Sequence, residues 1–468
     1  MTTTDVRSGT FGGALELIGN TPLVRLTGFD TGPCELYLKL ELQNPGGSIK
    51  DRIGLSMIEA AEQSGAIKPG GTLVEATAGN TGLALALVAA RKGYRLTLVI
   101  PDKMSQEKVF HLRAMGADVH MTRSDVGKGH PDYYQDLAAR LAKETGAFYV
   151  NQFENPANPL AHETTTGPEL FRQMDGKLDA VVCGVGSGGT LTGLSRYFAK
   201  ALPSVEMVLA DPVGSVLVDY FQTGKFGAAG SWLVEGVGED FIPKFCDLSR
   251  VKKAYSISDE ESFLTARQLL KNDGILAGSS SGSLLAAALR YCREQTSPKR
   301  VVTFACDSGN KYLSKMFNDF WMRDQGYLRG PAFGDLRDVI ARWHEQGSVV
   351  EIAPDDLLLV AYSRMKLYDV SQLPVIENGK IVGILDESDL LLAIHDDEAA
   401  FRHSVRQHMT SKLITVERTA PLESLHALLD RGLVVIVCEG ERFLGLITRI
   451  DVLNYFRRTP LPSSRKPQ

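Results

Sequence analysis

The chain has 468 residues, of which 44% are hydrophobic, and a formal net charge of −5 at pH 7. A chain of this length predicts about three domains, or one large α/β unit with an appendage. The slightly acidic balance argues against nucleic-acid partners, and no apolar run is long enough to cross a membrane. Six cysteines without a CxxC pair and an N-terminus without the apolar core of a signal peptide predict free thiols and a cytoplasmic protein.

Apolar strand patterns alternate with helical patterns as far as residue 306. Strands are predicted at 21–26, 35–40, 72–76, 95–100, 147–152, 179–185, 205–210 and 300–306. Helices are predicted at 81–91, 106–115, 132–145, 162–174, 190–201 and 258–272, the last opened by a capping box of Ser258 and Glu261. This alternation predicts an α/β fold with a mostly parallel sheet that helices cover on both faces.

Residues 44–52 read Asn-Pro-Gly-Gly-Ser-Ile-Lys-Asp-Arg, a turn followed by the start of a helix. Ser48 and Asp51 have the spacing of a capping box with Asp in place of Glu. This places Lys50 in the first helical turn, where the partial positive charge of the backbone N–H groups disfavours an ammonium. An amine that loses its proton readily can attack an aldehyde. For the residue alone, a lysine whose side chain lies along a surface helix is the alternative interpretation.

A glycine-rich loop at 184–189, Gly-Val-Gly-Ser-Gly-Gly, lies between a predicted strand and a predicted helix. It matches GxGxxG, and Asp211 ends the next strand, so an NAD-dependent oxidoreductase is one interpretation. The loop lies in mid-chain, however, and residues 186–190 offer clustered N–H groups together with the hydroxyls of Ser187 and Thr190. Such a nest suits a terminal phosphate monoester better than a bridging pyrophosphate. Asp211 precedes Pro212 and is expected to start a turn instead of binding a ribose.

Two further loops carry polar groups. Residues 77–81, Thr-Ala-Gly-Asn-Thr, open a helix after a strand and can hold a carboxylate, although an ordinary turn with a Thr cap explains the loop better in isolation. Residues 278–282, Gly-Ser-Ser-Ser-Gly, lie between apolar segments, where hydroxyl groups need partners. In a parallel sheet the loops after the strand C-termini converge on one crevice. An amine, a phosphate nest and a hydroxyl group together are what pyridoxal phosphate needs.

Four stretches, 44–52, 77–82, 184–193 and 278–283, resemble those of the fold-type II pyridoxal-phosphate enzymes of the cysteine synthase and cystathionine β-synthase family. The resemblance extends from about residue 18 to residue 321 and implies two open, mostly parallel sheets wrapped by helices. It implies that Lys50 is the catalytic Schiff-base lysine. The cofactor-binding residues that it implies are Lys50, Asn80, Gly186, Ser187, Gly188, Gly189, Thr190 and Ser280. The substrate-binding residues that it implies are Thr77, Ala78, Gly79, Asn80, Thr81, Gln152 and Gly236.

The resemblance also sets expectations about other groups. The N-terminal arm has no His and no Cys before Cys34, so we expect no haem, and we predict no metal site. Glu163 and Glu239 stand where animal relatives carry tyrosines near the entrance for the second substrate. Ala78 stands where many relatives have serine. These departures concern how the substrates are recognised.

By the same resemblance, Ser280 faces the pyridine nitrogen of the cofactor. A serine hydroxyl, unlike a carboxylate, does not favour protonation of that nitrogen, so the ring is a weaker electron sink and prompt loss of a β-substituent is favoured. We therefore predict a β-replacement that condenses L-serine with L-homocysteine to L-cystathionine and water. The alternatives are an O-acetylserine sulfhydrylase that makes cysteine from O-acetylserine and sulfide, a serine dehydratase, and the NAD-dependent oxidoreductase. An adenylate sensor with an inactive catalytic half is a further alternative, but Lys50, Asn80 and Ser280 are all present.

The C-terminal part contains an internal repeat. Residues 382–391 and 444–453 share apolar, Gly and Asp positions, and each copy follows an apolar strand. The repeat resembles a pair of CBS domains, in which Thr448 and Asp451 match a Thr/Ser-x-x-Asp pattern that binds an adenosine ribose. The first copy has Asp386 in the threonine position. A site for S-adenosylmethionine or AMP and a module that serves only for dimer packing are therefore both open.

Family likeness implies a homodimer or a higher homo-oligomer. Two copies of the repeat unit bury each other's apolar faces, so they are expected to pair into one module. The predicted domains are a catalytic domain at 1–326, a linker at 327–334, a CBS pair at 335–456 (335–395 and 404–456) and a disordered tail at 457–468.

Overall fold

The computed structural model describes residues 10–77, 79–102, 104, 106–328, 332–397 and 399–458. The chain divides into two compact units, Met1–Phe317 and Asn318–Gln468. The predicted domain limits stay predictions, and residues 329–331 of the predicted linker lie outside the described residues.

The first unit alternates strands with helices, as predicted. Its strands are β1 Leu23–Arg25, β2 Glu35–Lys39, β3 Thr72–Ala76, β4 Arg95–Pro101, β5 Asp118–Thr122, β6 Phe148–Tyr149, β7 Ala180–Gly184, β8 Glu206–Pro212, β9 Val251–Ile257 and β10 Arg300–Phe304. Its α-helices are α1 Lys50–Gln63, α2 Asn80–Lys92, α3 Gln106–Ala114, α4 Tyr134–Thr145, α5 Ala157–Ala161, α6 Gly167–Gln173, α7 Gly189–Ala201, α8 Leu217–Thr223, α9 Asp259–Asp273 and α10 Ser279–Arg293. A π-helical segment, His162–Thr166, joins α5 to α6, and 3-10 turns lie at Ala14–Leu17, Glu41–Gln43 and Gly309–Tyr312.

The strands form two sheets. One has six strands in the order β1-β2-β10-β7-β8-β9, and the other has four in the order β5-β4-β3-β6. Every described pairing in them is parallel except that of β1 with β2. The central strands β3 and β7 are almost entirely buried, which is the burial expected of parallel strands covered on both faces. The predicted α/β class with two mostly parallel sheets is confirmed.

Two strands, β5 and β9, were missing from the predicted elements, and both lie at sheet edges. Most residues of β5 are exposed or half-buried, and β9 alternates buried with exposed positions, so neither shows the continuous apolar run of a central strand. The predicted strand at 147–152 is only Phe148–Tyr149, and the predicted helix at 162–174 begins as a π-helical segment.

The capping box predicted for α9 is half formed. The Ser258 side chain accepts a hydrogen bond from the Glu261 N–H at 3.2 Å. The Glu261 carboxylate instead forms an ion pair with Arg290, through a 3.0 Å bond from the arginine Nε and a second bond from its Nη2. The ion pair with Arg290 has therefore replaced the hydrogen bond that the Glu261 side chain would accept from the Ser258 N–H in a full capping box.

The second unit contains the predicted repeat. Its strands are β11 Gln372–Glu377, β12 Lys380–Asp386, β13 Thr415–Glu417, β14 Val435–Glu439 and β15 Arg442–Ile447. Its α-helices are α11 Asp319–Asp324, α12 Leu358–Tyr368, α13 Glu387–Asp396, α14 His426–Asp430 and α15 Arg449–Arg458, with 3-10 turns at Leu336–Asp338, His344–Gln346, Ala400–Arg402, Val405–Gln407 and Leu422–Leu425. The hairpins β11–β12 and β14–β15 carry a register shift at equivalent places, and a helix follows each one.

Helix α15 extends to Arg458. Its apolar face packs on the core of the second repeat, with Val452 buried and Tyr455 and Phe456 partly buried. The predicted disorder of the tail from residue 457 stays a prediction. Residues 459–468 lie outside the described residues. Among the helices that the structure describes, none combines the length and the apolar character needed to span a membrane.

Candidate active site

One cavity of about 660 Å³ lies among the loops of the first unit. It is bordered by the starts of α1, α2, α7 and α10 and by the ends of β3, β6 and β7. The predicted site residues that line it are Lys50, Thr77, Gly79, Asn80, Thr81, Gln152, Gly186, Ser187, Gly188, Gly189, Thr190, Gly236 and Ser280. Ala78 lies outside the described residues. The structure therefore brings together residues that span 230 positions of sequence, from Lys50 to Ser280.

Lys50 is the first residue of α1, as predicted, but the predicted capping box is absent there. Ser48 Oγ accepts from the Lys50 N–H at 3.2 Å, and the Asp51 carboxylate accepts from the Gly46 N–H. The reason is that Ser48 is held in an isolated bridge to Asp307, after β10. The long-range pairing of this segment has overridden the local capping pattern.

The Lys50 side chain lies at the cavity wall and is otherwise surrounded by protein. Burial lowers the pKa of Lys50, and the negative charges of Glu239 and Asp307 partly offset that effect. The expected direction of the shift is confirmed, but its main cause is desolvation, whereas the sequence had suggested the position at the helix start.

The glycine-rich loop packs tightly at the start of α7. Gly188 has a φ of +84°, and a Cβ at this position would lie 2.9 Å from the backbone nitrogen of Cys246. Asn158 Nδ2 donates to Ser187 Oγ at 2.9 Å from behind the loop. The close approach of Cys246 therefore requires glycine at position 188, and the start of α7 borders the cavity, where its N–H groups fit a phosphate group.

Asp211 follows Ala210, which pairs with Gly184 at the start of this loop. It is fully buried in β8, and its carboxylate accepts from the Val218 N–H at 3.3 Å near the start of α8. Burial raises the pKa of Asp211 to about 7. Since this carboxylate serves a helix start and is not among the groups that line the cavity, the GxGxxG pattern lacks the ribose-binding acid of a dinucleotide site.

The loop after β3 is connected to the end of β6. Thr81 Oγ1 donates to Gln152 Oε1 at 2.7 Å, and Gln152 Nε2 donates to the Ala76 carbonyl at 3.3 Å. Asn80 Nδ2 donates to Asp307 Oδ2 at 2.8 Å, and its Oδ1 accepts from Lys311 Nζ at 2.9 Å. These bonds fix the side chains around the loop, and the backbone N–H groups at the start of α2 are suited to a carboxylate.

A charged cluster on the cavity wall was not predicted as such. Glu235 accepts from Lys108 Nζ at 2.5 Å and from Lys315 Nζ at 2.8 Å. Lys108 Nζ also lies 3.2 Å from the Tyr312 hydroxyl, which donates to Asp307 at 2.8 Å. Burial opposes the charge of Glu235, yet the two lysines lower its pKa. These residues are far apart in sequence, so no local pattern joins them.

Glu163 and Glu239, both expected near the entrance for the second substrate, differ in their surroundings. Glu239 lines the cavity. Glu163 instead forms a 2.8 Å ion pair with Lys200, of which 78% of the side chain is exposed. Among the described residues, no group of three or more His, Cys, Asp and Glu side chains is placed to hold a metal ion.

In the second unit, Thr448 and Asp451 contact each other. Asp451 Oδ2 accepts from the Thr448 hydroxyl at 2.6 Å and from its N–H at 2.7 Å, at the start of α15. In the first repeat, Asp386 and Asp389 form a complete capping box at the start of α13. Each repeat thus caps the start of its helix with an aspartate at the equivalent position, Asp451 in α15 and Asp389 in α13.

Comparisons with known proteins agree with this architecture. The profile of the family described as pyridoxal-phosphate dependent enzyme matches residues 14–307, and that of the CBS domain matches residues 338–396 and 405–458. A cystathionine beta-synthase of Dictyostelium discoideum is 36% identical over 462 residues, which cover 95% of this chain and 92% of that protein. A cysteine synthase of Staphylococcus aureus (strain N315) is 42% identical over 308 residues, which cover 65% of this chain and 96% of that protein.

Solved structures agree as well. An O-acetylserine dependent cystathionine beta-synthase from Helicobacter pylori is 36% identical, with a TM-score of 0.61, and the match covers 66% of this chain and 99% of that one. The shorter relatives match the catalytic part alone, whereas the Dictyostelium enzyme also matches the second unit. The chain therefore belongs to the family of pyridoxal-phosphate-dependent enzymes that includes the cystathionine beta-synthases and cysteine synthases, and it carries a C-terminal pair of CBS domains.

Proposed function

We propose that this cavity binds pyridoxal phosphate through Lys50 and condenses L-serine with L-homocysteine to L-cystathionine and water. The observation that carries the proposal is that an amine of lowered pKa, a phosphate nest and a carboxylate loop border one cavity. The near full-length similarity to a cystathionine beta-synthase supports the choice of reaction within the family.

Residues at opposite ends of the cavity hold the cofactor. Residues 186–190 bind the phosphate through the N–H groups at the start of α7 and the hydroxyl of Thr190. Ser280, in the first turn of α10, would hold the ring nitrogen, and Asn80 would hold the ring hydroxyl. When bound, pyridoxal phosphate supplies an aldehyde that captures an amino group and a ring that withdraws electrons from the adjacent carbon.

Lys50 then moves protons. Because burial lowers its pKa, its Nζ spends more time neutral and accepts the proton from Cα of the bound serine. The same Nζ returns a proton to the departing hydroxide, so no second acid is required at that position. Thr77, Gly79 and Thr81 orient the substrate carboxylate, and the Thr81–Gln152 hydrogen bond keeps that loop in place.

Glu239 favours an amino acid as the acceptor. Its carboxylate borders the cavity and attracts the ammonium group of homocysteine, whereas it repels sulfide, which is largely anionic near neutral pH. The related enzyme from Helicobacter pylori is described as an O-acetylserine dependent cystathionine beta-synthase. The preference for the donor is therefore tested separately from the preference for the acceptor.

Product analysis tests this proposal. Wild-type protein is expected to form cystathionine from serine plus homocysteine faster than it forms cysteine from O-acetylserine plus sulfide. The pair O-acetylserine plus homocysteine separates the preference for the donor from the preference for the acceptor.

Glu239→Gln is expected to lower kcat/KM for homocysteine by roughly tenfold, because a charge-assisted contact is lost, without lowering the rate with sulfide. Glu163→Gln is the matched control and leaves both rates unchanged. Cysteine as the main product, or equal effects of both variants, contradicts the proposal.

The second unit is proposed to bind an adenosyl ligand, S-adenosylmethionine or AMP, with Thr448 and Asp451 at the ribose. Likeness to the family also favours a homodimer or higher homo-oligomer in the cytoplasm. Calorimetric titration of the full chain with each ligand is expected to give heat in wild type and none in Asp451→Ala. Asp389→Ala removes the equivalent capping carboxylate of the first repeat, which accepts from the Asp386 N–H, and this variant is expected to bind the ligand as wild type does. No heat in wild type with either ligand indicates that the module serves for packing alone.

A further inference from the structure

A buried histidine lies directly behind the glycine-rich loop. His162 is fully buried and begins the π-helical segment between α5 and α6. Its Nδ1 lies 3.0 Å from Thr166 Oγ1, and its Nε2 lies 3.2 Å from Thr190 Oγ1. Thr190 lies in the first turn of α7 and lines the cavity. The imidazole therefore connects a buried hydroxyl to a hydroxyl at the cavity wall.

Close backbone packing holds this arrangement. A Cβ at Gly193, one turn into α7, would lie 2.7 Å from the Cβ of His162. Helix α7 therefore rests directly on the π-helical segment, which keeps His162 beside Thr190.

The ring is neutral near neutral pH. Burial lowers the pKa of His162 to about 3, and the positive charges of Arg52 and Lys50 add to that effect. A neutral imidazole has one N–H donor and one acceptor nitrogen. One of the two ring contacts therefore donates and the other accepts.

Two tautomers satisfy both contacts, but they leave Thr190 in different states. If Nε2 accepts, the Thr190 hydroxyl donates its proton to the ring and has none to donate to a ligand. If Nε2–H donates to Thr190 Oγ1, the Thr166 hydroxyl donates to Nδ1, and the Thr190 proton is free to point into the cavity. An anion held at residues 186–190 needs donors, so it selects the second tautomer.

We propose that His162 is a positioning residue for the phosphate site, which orients the Thr190 hydroxyl so that it donates to a phosphoryl oxygen. The inference rests on the proposed function, because it requires the cofactor phosphate at residues 186–190. The proposed hydrogen-bond chain runs from Thr166 through His162 to Thr190 and then to the phosphate. Thr190 is the only one of these three residues that touches the ligand.

The test compares two ligands that differ only in the phosphate. Full-length protein freed of cofactor is titrated with pyridoxal phosphate and with pyridoxal, and the ratio of the two dissociation constants isolates the contribution of the phosphate. In His162→Asn the amide still reaches Thr166 but not Thr190, and this ratio is expected to fall roughly tenfold. His162→Gln, whose longer amide can donate to Thr190 and accept from Thr166, is expected to keep most of it.

A double variant distinguishes an effect that His162 exerts through Thr190 from general damage to the fold. If His162 acts through Thr190, His162→Asn causes no further loss in a Thr190→Val background. Thr164→Val, an exposed hydroxyl of the same segment that bonds the Leu160 carbonyl, is expected to change nothing. An unchanged ratio in folded His162→Asn, additive losses in the double variant, or equal losses in the Asn and Gln variants overturns the inference. A wild-type ratio near one overturns the phosphate assignment of the proposed function itself.

Discussion

Replacing Lys50 by alanine is expected to lower kcat by about 10³-fold or more while the protein stays folded. Lys50 Nζ both binds the cofactor and carries the proton of the substrate, so its loss removes two functions that no neighbouring group replaces. Among the described residues, the other lysines that line the cavity, Lys108 and Lys315, are already engaged in ion pairs with Glu235. Steady-state assays with serine and homocysteine measure the effect.

Borohydride reduction followed by mass spectrometry identifies the lysine independently of turnover. Wild-type protein is expected to carry the reduced cofactor on Lys50, and Lys50→Ala none. Lys92→Ala is the control, since this partly exposed lysine pairs with Glu62 on α1 and does not line the cavity. Partial recovery of activity in Lys50→Ala by added methylamine is the expected rescue. Normal turnover by Lys50→Ala, or a label on another lysine, removes the central assignment.

Replacing Arg52 by leucine is expected to destabilise the first unit by roughly 3–5 kcal/mol. The guanidinium is 3% exposed and forms paired bonds with two buried carboxylates, to Glu41 at 2.7 and 2.8 Å and to Glu169 at 2.8 Å through two nitrogens. Although burial opposes its charge, Arg52 lowers the pKa of Glu169 to about 2. Without Arg52, Glu41 is a buried acid without a cationic partner in direct contact.

Urea denaturation of the full chain at saturating pyridoxal phosphate measures the shift in midpoint. Arg25→Leu removes an exposed arginine from its ion pair with Glu35, in which the two side chains are 56% and 37% exposed. It is therefore expected to cost less than about 1 kcal/mol. Equal shifts in the two variants contradict the prediction. Because Arg52 lies in the first turns of α1, its loss also displaces Lys50, and we expect activity to fall before the fold is lost.

The site residues could be predicted because each belongs to a short local pattern. The glycine-rich loop follows β7 and the turn before Lys50 follows β2, and parallel strands bring such loops to one edge. That general rule accounts for Lys50 and Gly188 at one cavity, whereas the serine run lies between α9 and α10 and Ser280 was assigned through the family resemblance.

What sequence reasoning missed depends on contacts between distant segments. The edge strands β5 and β9 carry too few buried residues to show a strand pattern. Ser48 fits a capping box by spacing, but its bridge to Asp307 decides its conformation. The ion pairs of Lys108 with Glu235 and of Arg52 with Glu169 each join segments more than 100 residues apart. No local signal in a single sequence encodes them.

The cavity draws its walls from both sheets of the first unit. The ends of β3 and β6, which carry Thr81 and Gln152, belong to the four-stranded sheet, while the end of β7, which leads to Gly188, belongs to the six-stranded sheet. In the proposed function, one half holds the substrate carboxylate and the other half holds the cofactor phosphate. A change in how the two sheets pack would then misalign the reacting carbon and Lys50 while each anchoring group keeps its contacts. A substitution of a residue buried between the two sheets is therefore expected to slow the reaction without touching the ligand.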